Sequence, residues 1–186
     1  MRAFRFVRFL MGLSLATAIF AQAQAPKPDS HLKQLSALAG RWTYEGEYKP
    51  GPLGPDGKII GEYTGRTILN GFFCEGREAE KGTMGATHNV EIDAYDPANN
   101  NFICNLYQDD GSRFSDTVTV NGNAITWEGR FFAAGPQVLF KEPFVMAADR
   151  MTGTAKGETS MDGKTWTPVL RGNIHEGEAG SQQSSP

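Results

Sequence analysis

Alternating apolar and polar residues, interrupted by tight-turn signals, occupy most of the chain between residues 41 and 173. Such alternation is typical of β-strands that bury one face. Five of the turn signals are Asn-Gly or Asp-Gly pairs, which readily adopt the positive backbone angles of two-residue hairpin turns. The pattern predicts about ten strands, at residues 41–48, 58–69, 72–80, 87–95, 102–108, 113–120, 124–132, 143–149, 152–161 and 165–172.

These strands predict a single all-β domain. Because the connections are short, consecutive strands should pair as antiparallel neighbours, and a sheet of this size loses its exposed edges most simply by closing. We therefore predict an antiparallel up-and-down closed barrel over residues 41–173. Leu32, Leu35 and Leu38 recur at every third position and predict a short helix or 3₁₀ turn within an N-terminal segment, residues 24–40. Residues 174–186 lack an apolar pattern and are predicted to form a disordered tail.

The first 23 residues have the order of a cleavable signal peptide. Three arginines and no acidic residue are followed by an apolar stretch over residues 9–20, and Ala21 and Ala23 occupy the −3 and −1 positions of a cleavage site. The apolar stretch is shorter than the ~20 residues that a stable membrane-spanning helix needs. The sequence therefore predicts export to the periplasm or the medium, cleavage near Ala23, and no stable membrane insertion.

Export makes the charge of the protein more negative. Loss of residues 1–23 removes three arginines, which leaves 15 basic against 21 acidic side chains and changes the formal charge from −3 to −6. Proteins that bind phosphate backbones need a surplus of Lys and Arg, so nucleic acid is not an expected partner. The composition leaves the oligomeric state open.

The start of the first predicted strand, Gly40-Arg41-Trp42, resembles the Gly-x-Trp opening of the lipocalins and the wider calycin group. In that group the tryptophan closes one barrel end and an arginine of the last strand lies across its indole, which implies structural closure by Trp42 and Arg171. The succession LAGRW, TILNGFF, DAYDP, LYQDDGS and SMDGKTW is similar to a family of bacterial, often exported proteins of unknown function. That resemblance implies a calycin-like barrel and no particular activity.

His88 is the histidine best placed for chemistry, because His31 precedes the barrel and His175 lies in the predicted tail. The alternation of Val90, Ile92 and Ala94 predicts that His88 shares their inward face. An inward histidine can bind haem iron or orient a ligand, but a hydrogen-bonded core residue is the favoured interpretation. Glu91 and Asp93 would then face outward, so no metal site and no cofactor are predicted.

Motifs of nucleophilic hydrolysis are missing from the sequence, because there is no Gly-x-Ser-x-Gly elbow and no second placed histidine. No catalytic residue is predicted, and an enzyme is the less favoured class. Aromatic residues are spread over the predicted strands. We expect an interior that binds a small apolar or amphipathic molecule, with His88, Trp127, Tyr44, Tyr63 and Phe131 as candidate ligand contacts. A packed scaffold that contacts an envelope protein through a loop is the alternative.

Cys74 and Cys104 form an even pair in a chain predicted to be exported, which favours a disulfide. The predicted strand order places one strand between them. Their separation would then be about 9–10 Å, whereas a disulfide needs Cα atoms within about 7 Å. Compartment and topology therefore give opposite expectations.

Overall fold

The computed structural model describes residues 27–83, 85–133 and 135–177, so the predicted signal peptide lies outside the described residues. It contains a 3₁₀ helix, Ser30–Leu38, a 3₁₀ turn, Leu69–Gly71, and ten strands. The strands are β1 Gly40–Tyr48, β2 Gly57–Ile68, β3 Phe73–Gly82, β4 Gly85–Asp96, β5 Asn101–Gln108, β6 Arg113–Asn121, β7 Ala124–Phe132, β8 Val138–Met146, β9 Thr152–Ser160 and β10 Thr167–Glu176.

The ten strands form one closed antiparallel barrel, as predicted. Each strand pairs with its neighbours in sequence, and β1 also pairs with β10 to complete the ring. Turns at Gly111, Gly122 and Gly163 have positive φ angles of 87°, 65° and 70°, which explains the glycine in each of these turn pairs. No helix within the described residues is long and apolar enough to span a membrane.

Two strand boundaries differ from the prediction by more than three residues. β8 begins at Val138, five residues before the predicted start, and includes Pro143 in its interior. β10 continues through Ile174 to Glu176, so the predicted disordered tail does not begin at residue 174. Ile174 packs against the core, and the Gly177 amide donates to the Arg41 carbonyl, which holds this end of the chain to β1. Residues 178–186 lie outside the described part of the chain.

One end of the barrel is closed by the N-terminal 3₁₀ helix. Its three leucines, Leu32, Leu35 and Leu38, are buried against Trp42 and Phe102 in the hydrophobic core. Asp29 caps the helix by accepting from the His31 amide at 2.8 Å, and the His31 ring stacks on Tyr95 with 4.4 Å between ring centroids. The loops that join β1 to β2, β3 to β4, β5 to β6, β7 to β8 and β9 to β10 surround the opposite end.

Glycines on the inner wall provide room for aromatic rings from neighbouring strands. A Cβ atom at Gly76 would lie 2.6 Å from the Tyr63 ring, which belongs to β2 beside it. Gly61 has the same relation to the Tyr44 ring of β1. The rings therefore lie directly over the glycines, close to the barrel wall.

Candidate ligand-binding lumen

The interior is filled at the helix end and open at the loop end. Inward positions near the helix, including Trp42, Phe102, Val118 and Phe144, are buried. Inward positions nearer the loops keep accessible surface although strands surround them, and from this we infer an open space inside the barrel, which we call the lumen. Its lining consists of Tyr44, Tyr48, Glu78, Glu80, Leu106, Gln108, Phe114, Trp127, Phe131, Glu142 and Leu170.

The lumen wall formed by β1, β3, β4 and β5 is polar. The Tyr44 hydroxyl donates to Glu80 Oε2 at 3.1 Å, and Asn89 Nδ2 donates to Glu78 Oε2 at 2.8 Å. Gln108 Nε2 donates in turn to Asn89 Oδ1 at 3.3 Å. Among the described residues, Glu78 and Glu80 each accept one side-chain hydrogen bond, which leaves further lone pairs on both carboxyl groups for other donors.

The opposite wall is largely aromatic. Phe114 and Phe131 pair across β6 and β7 with ring centroids 4.7 Å apart, and Phe140 of β8 meets Phe114 edge-on at 5.1 Å. Trp127 lies on the same inward face of β7, beside Glu142 of β8. A molecule in the lumen would therefore meet carboxylates on one side and aromatic rings on the other.

The carboxyl groups that line the lumen make it increasingly negative as they lose their protons. Burial raises the pKa of Glu142 to about 8, and the nearby charges of Glu78, Asp116 and Glu80 add to this effect. Burial also raises the pKa values of Glu78 and Glu80. None of the Lys, Arg or His side chains on the ten described strands occupies an inward position, so no protein cation offsets these carboxylates.

Below the lumen lies a compact group that we call the floor cluster, consisting of Glu91, Asp93 and Cys104. One ligand atom from each of the three side chains lies within 4.8 Å of the other two. The side chains are 6%, 2% and 1% exposed, and neither Glu91 Oε1 nor Asp93 Oδ1 has a hydrogen-bond partner in the described part of the chain. Asp116, the cross-strand neighbour of Cys104, also has an unpartnered oxygen.

The prediction that His88 faces inward is wrong. Its side chain is 68% exposed on the outer face of β4, where Nδ1 lies 2.9 Å from Asp109 Oδ2. The polar residues Asn89, Glu91 and Asp93 occupy the inner face instead. Val90 can face outward because Arg77 and Tyr107 flank it on the adjacent strands and cover part of its surface.

The other predicted ligand contacts lie on the inward face of the barrel. Tyr44, Trp127 and Phe131 border the lumen, whereas Tyr63 is buried closer to the floor cluster. The structure therefore brings four of the five predicted residues to the interior, without His88.

The predicted pairing of Trp42 with Arg171 is absent from the structure. Trp42 is buried at the helix end, but Arg171 is exposed and lies opposite Glu47, five positions further along β1. The physical reason is the additional length of β10, which places Glu176 rather than Arg171 opposite Trp42. Closure at this end depends on the leucines of the 3₁₀ helix.

Cys74 and Cys104 are both free thiols. Asp93 of β4 is the cross-strand neighbour of each cysteine, so an intervening strand separates them, as the predicted strand order required. The structure therefore agrees with the expectation from strand order, which opposed a disulfide, and not with the expectation from export.

Sequence reasoning missed the acidic interior. Glu78 and Glu80, and likewise Glu91 and Asp93, are two positions apart within a strand, and this spacing places each pair on one face. The signal was present, but the inner face of β4 was assigned to its apolar residues.

Comparison with known proteins supports the architecture. No curated protein matches the chain. The structure is similar to that of Rv2717c from M. tuberculosis, with a TM-score of 0.57 and 13% sequence identity, over 81% of this chain and 99% of that chain. At this identity the likeness shows a shared fold. A family model described as "Protein of unknown function (DUF1579)" matches residues 27–175, and the chain therefore belongs to the DUF1579 family.

Proposed function

We propose that this protein is an exported binding protein whose lumen holds a small amphipathic molecule with a cationic or hydrogen-bond-donating group. The observation that carries the proposal is the pairing of three acidic side chains without a cation on the surrounding strands, Glu78, Glu80 and Glu142, with the aromatic wall of the same lumen. Ligand sites in proteins combine apolar lining with a few placed polar groups in this way.

Charge decides which amphipathic molecules suit this lumen. A carboxylate or phosphate in the ligand would add a negative charge among acids whose pKa values are already raised, whereas an ammonium group would relieve their repulsion. The aromatic wall favours a cation further, since ring faces attract positive charge. We therefore infer an organic amine or a similar multiple donor, which narrows the apolar or amphipathic molecule that the sequence suggested to a cationic amphipathic one.

Binding of matched fluorescent probes tests this proposal. An aromatic alkylamine is expected to bind the purified protein, whereas the analogue with a carboxylate in place of the amine is expected not to bind. Glu80→Gln should weaken binding of the amine about tenfold or more, because a hydrogen bond to a charged group contributes about 1.5–3 kcal/mol. The matched control is Glu47→Gln, on the outer face of β1. Equal binding of both probes would contradict the proposal, as would equal affinity of the Glu80 and Glu47 variants.

Export is supported by the basic head and apolar block of residues 1–23. Expression of the full chain in a Gram-negative host should give a periplasmic protein whose N-terminal sequence begins at Gln24. Replacing Leu13 and Leu15 by aspartate interrupts the apolar block and should keep the chain in the cytoplasm, uncleaved. A cytoplasmic, full-length product from the unchanged chain would contradict export.

A further inference from the structure

We propose that the floor cluster is a binding site for a divalent transition-metal ion, with Zn²⁺ or Co²⁺ held by Glu91, Asp93 and the thiolate of Cys104. This inference is independent of the organic ligand proposed for the lumen, because the cluster lies below the lumen and uses different side chains.

Geometry is the first argument for a metal. The strands β4 and β5 bring the three side chains to adjacent inward positions, with Asp93 directly opposite Cys104. One oxygen from each carboxylate and the Cys104 sulfur form a triangle with no side longer than 4.8 Å. Ligand bonds to Zn²⁺ are about 2.0–2.3 Å long, so donors around one such ion lie about 3–4.5 Å apart.

The unpartnered atoms supply a second and independent argument. Glu91 Oε1 and Asp93 Oδ1 are buried without a hydrogen-bond donor, which is costly for carboxylate oxygens in a protein interior. The remaining charges near them are negative, since Glu78 and Asp116 act on Glu91 as further acids. A divalent cation would supply the missing partner for both oxygens and offset the charge of the cluster.

The donor types favour particular ions. A thiolate with two carboxylates suits a borderline ion such as Zn²⁺ or Co²⁺ and is a poor set for Ca²⁺ or Mg²⁺, which take oxygen ligands only. Three protein ligands leave one position of a tetrahedral ion for water or another ligand. Metal binding displaces the Cys104 thiol proton to solvent, together with the proton of Glu91 where that carboxyl is protonated, and the sulfur and carboxylate lone pairs form the metal bonds.

A shared proton is the competing occupant. Burial and the charge of Asp93 raise the pKa of Glu91 well above its ordinary value, so a protonated Glu91 could donate to Asp93 without any metal. The two occupants differ in one observable property, because only the metal site contains a thiolate bond.

Cobalt spectroscopy distinguishes a bound metal ion from a shared proton in the floor cluster. The protein, produced by expressing the full chain with its own export signal and freed of metal by a chelator, is titrated with Co²⁺. The metal site predicts a thiolate-to-cobalt charge-transfer band in the near ultraviolet, intense visible bands of a tetrahedral ion, and loss of both on addition of Zn²⁺. Zn²⁺ should also raise the midpoint temperature of unfolding, because it binds only the folded state.

Two cysteine variants provide a matched pair. Cys104→Ala should abolish the charge-transfer band, whereas Cys74→Ala should retain it, because Cys74 is inward in the same row but lies outside the floor cluster. If Cys104→Ala fails to fold by circular dichroism, Glu91→Gln tests the same site with both thiols intact and should also lose the band. Absence of the band from folded, unchanged protein would overturn the proposal, as would its loss in Cys74→Ala alone.

Discussion

Replacing Gly129 by valine is expected to prevent the chain from forming its native barrel under conditions in which the unchanged protein is stable. Gly129 lies on the inward face of β7, between Asp116 of β6 and Phe140 of β8. A Cβ atom at this position would lie 2.6 Å from the Asp116 Cα atom and still closer to the Ser115 carbonyl oxygen. Both are backbone atoms, so relief requires β6 and β7 to move apart.

Overpacking usually costs about 1–3 kcal/mol, and a clash with backbone exceeds that range because no rotamer relieves it. A domain is stabilised by only about 5–15 kcal/mol, so Gly129→Ala should lower the urea midpoint strongly and Gly129→Val should give insoluble or unfolded protein. The matched control is Arg130→Val, one residue along the same strand with an exposed side chain, expected to change stability by about 0.5 kcal/mol or less. A valine variant with an unchanged urea midpoint would mean that β6 and β7 are further apart at this point.

Removing the charge of Glu142 is expected to stabilise the protein at alkaline pH. The pKa of Glu142 is raised from 4.5 to about 8 in the folded state, mainly by burial. Between these values the folded state holds a proton that the unfolded state has released. The free energy of unfolding therefore falls as the pH rises from about 4.5 through 8, and this loss is absent below 4.5. The glutamine of Glu142→Gln is neutral at every pH, so the variant does not lose this part of its unfolding free energy.

The charged groups that act on Glu142 all raise its pKa. Glu78 and Glu80 face it across the lumen, and Asp116 lies below it. All three are acids, and their charges raise the pKa of Glu142. One pKa unit corresponds to about 1.4 kcal/mol, and water in the lumen screens part of the effect, so a gain of about 2–3 kcal/mol at pH 9 is expected. Urea unfolding at pH 5, 7 and 9 measures it.

The control for this series is Glu47→Gln, which removes an exposed carboxylate from the outer face of β1. Its unfolding free energies should run parallel to those of the unchanged protein. The stabilisation by Glu142→Gln should appear only as the pH rises. A constant difference at all three pH values would indicate a packing effect, and a destabilised variant at pH 9 would contradict the negative lumen.

The barrel could be predicted from sequence because its turns have local signals. Asn121-Gly122 and Asp162-Gly163 impose reversals by their own backbone preferences, whatever the rest of the chain does. Strand ends have weaker signals. Pro143 indicated the start of a strand, yet it lies inside β8, and Ile174 was assigned to the tail because its packing partners are distant in sequence.

The lumen could not be predicted in the same way. Which set of alternating residues in a strand points inward depends on what the barrel encloses. Apolar residues face inward when the interior is packed, and this rule assigned Ile92 to the inside of β4 and Glu91 to the outside. In β4 this assignment is reversed, because Asn89, Glu91 and Asp93 face the interior. The inward positions of Trp127 and Phe131 agree with the prediction because their strand, β7, follows the ordinary rule.

Because the leucines of the 3₁₀ helix close one barrel end, the lumen is open only at the loop end in the part of the chain that the structure describes. A ligand of the proposed kind would have to enter and leave by this one route. Its exchange would then depend on the loops at the open end as well as on its affinity for the aromatic wall. A ligand longer than the lumen would keep one end in solvent, where a second protein could bind it before this protein releases it.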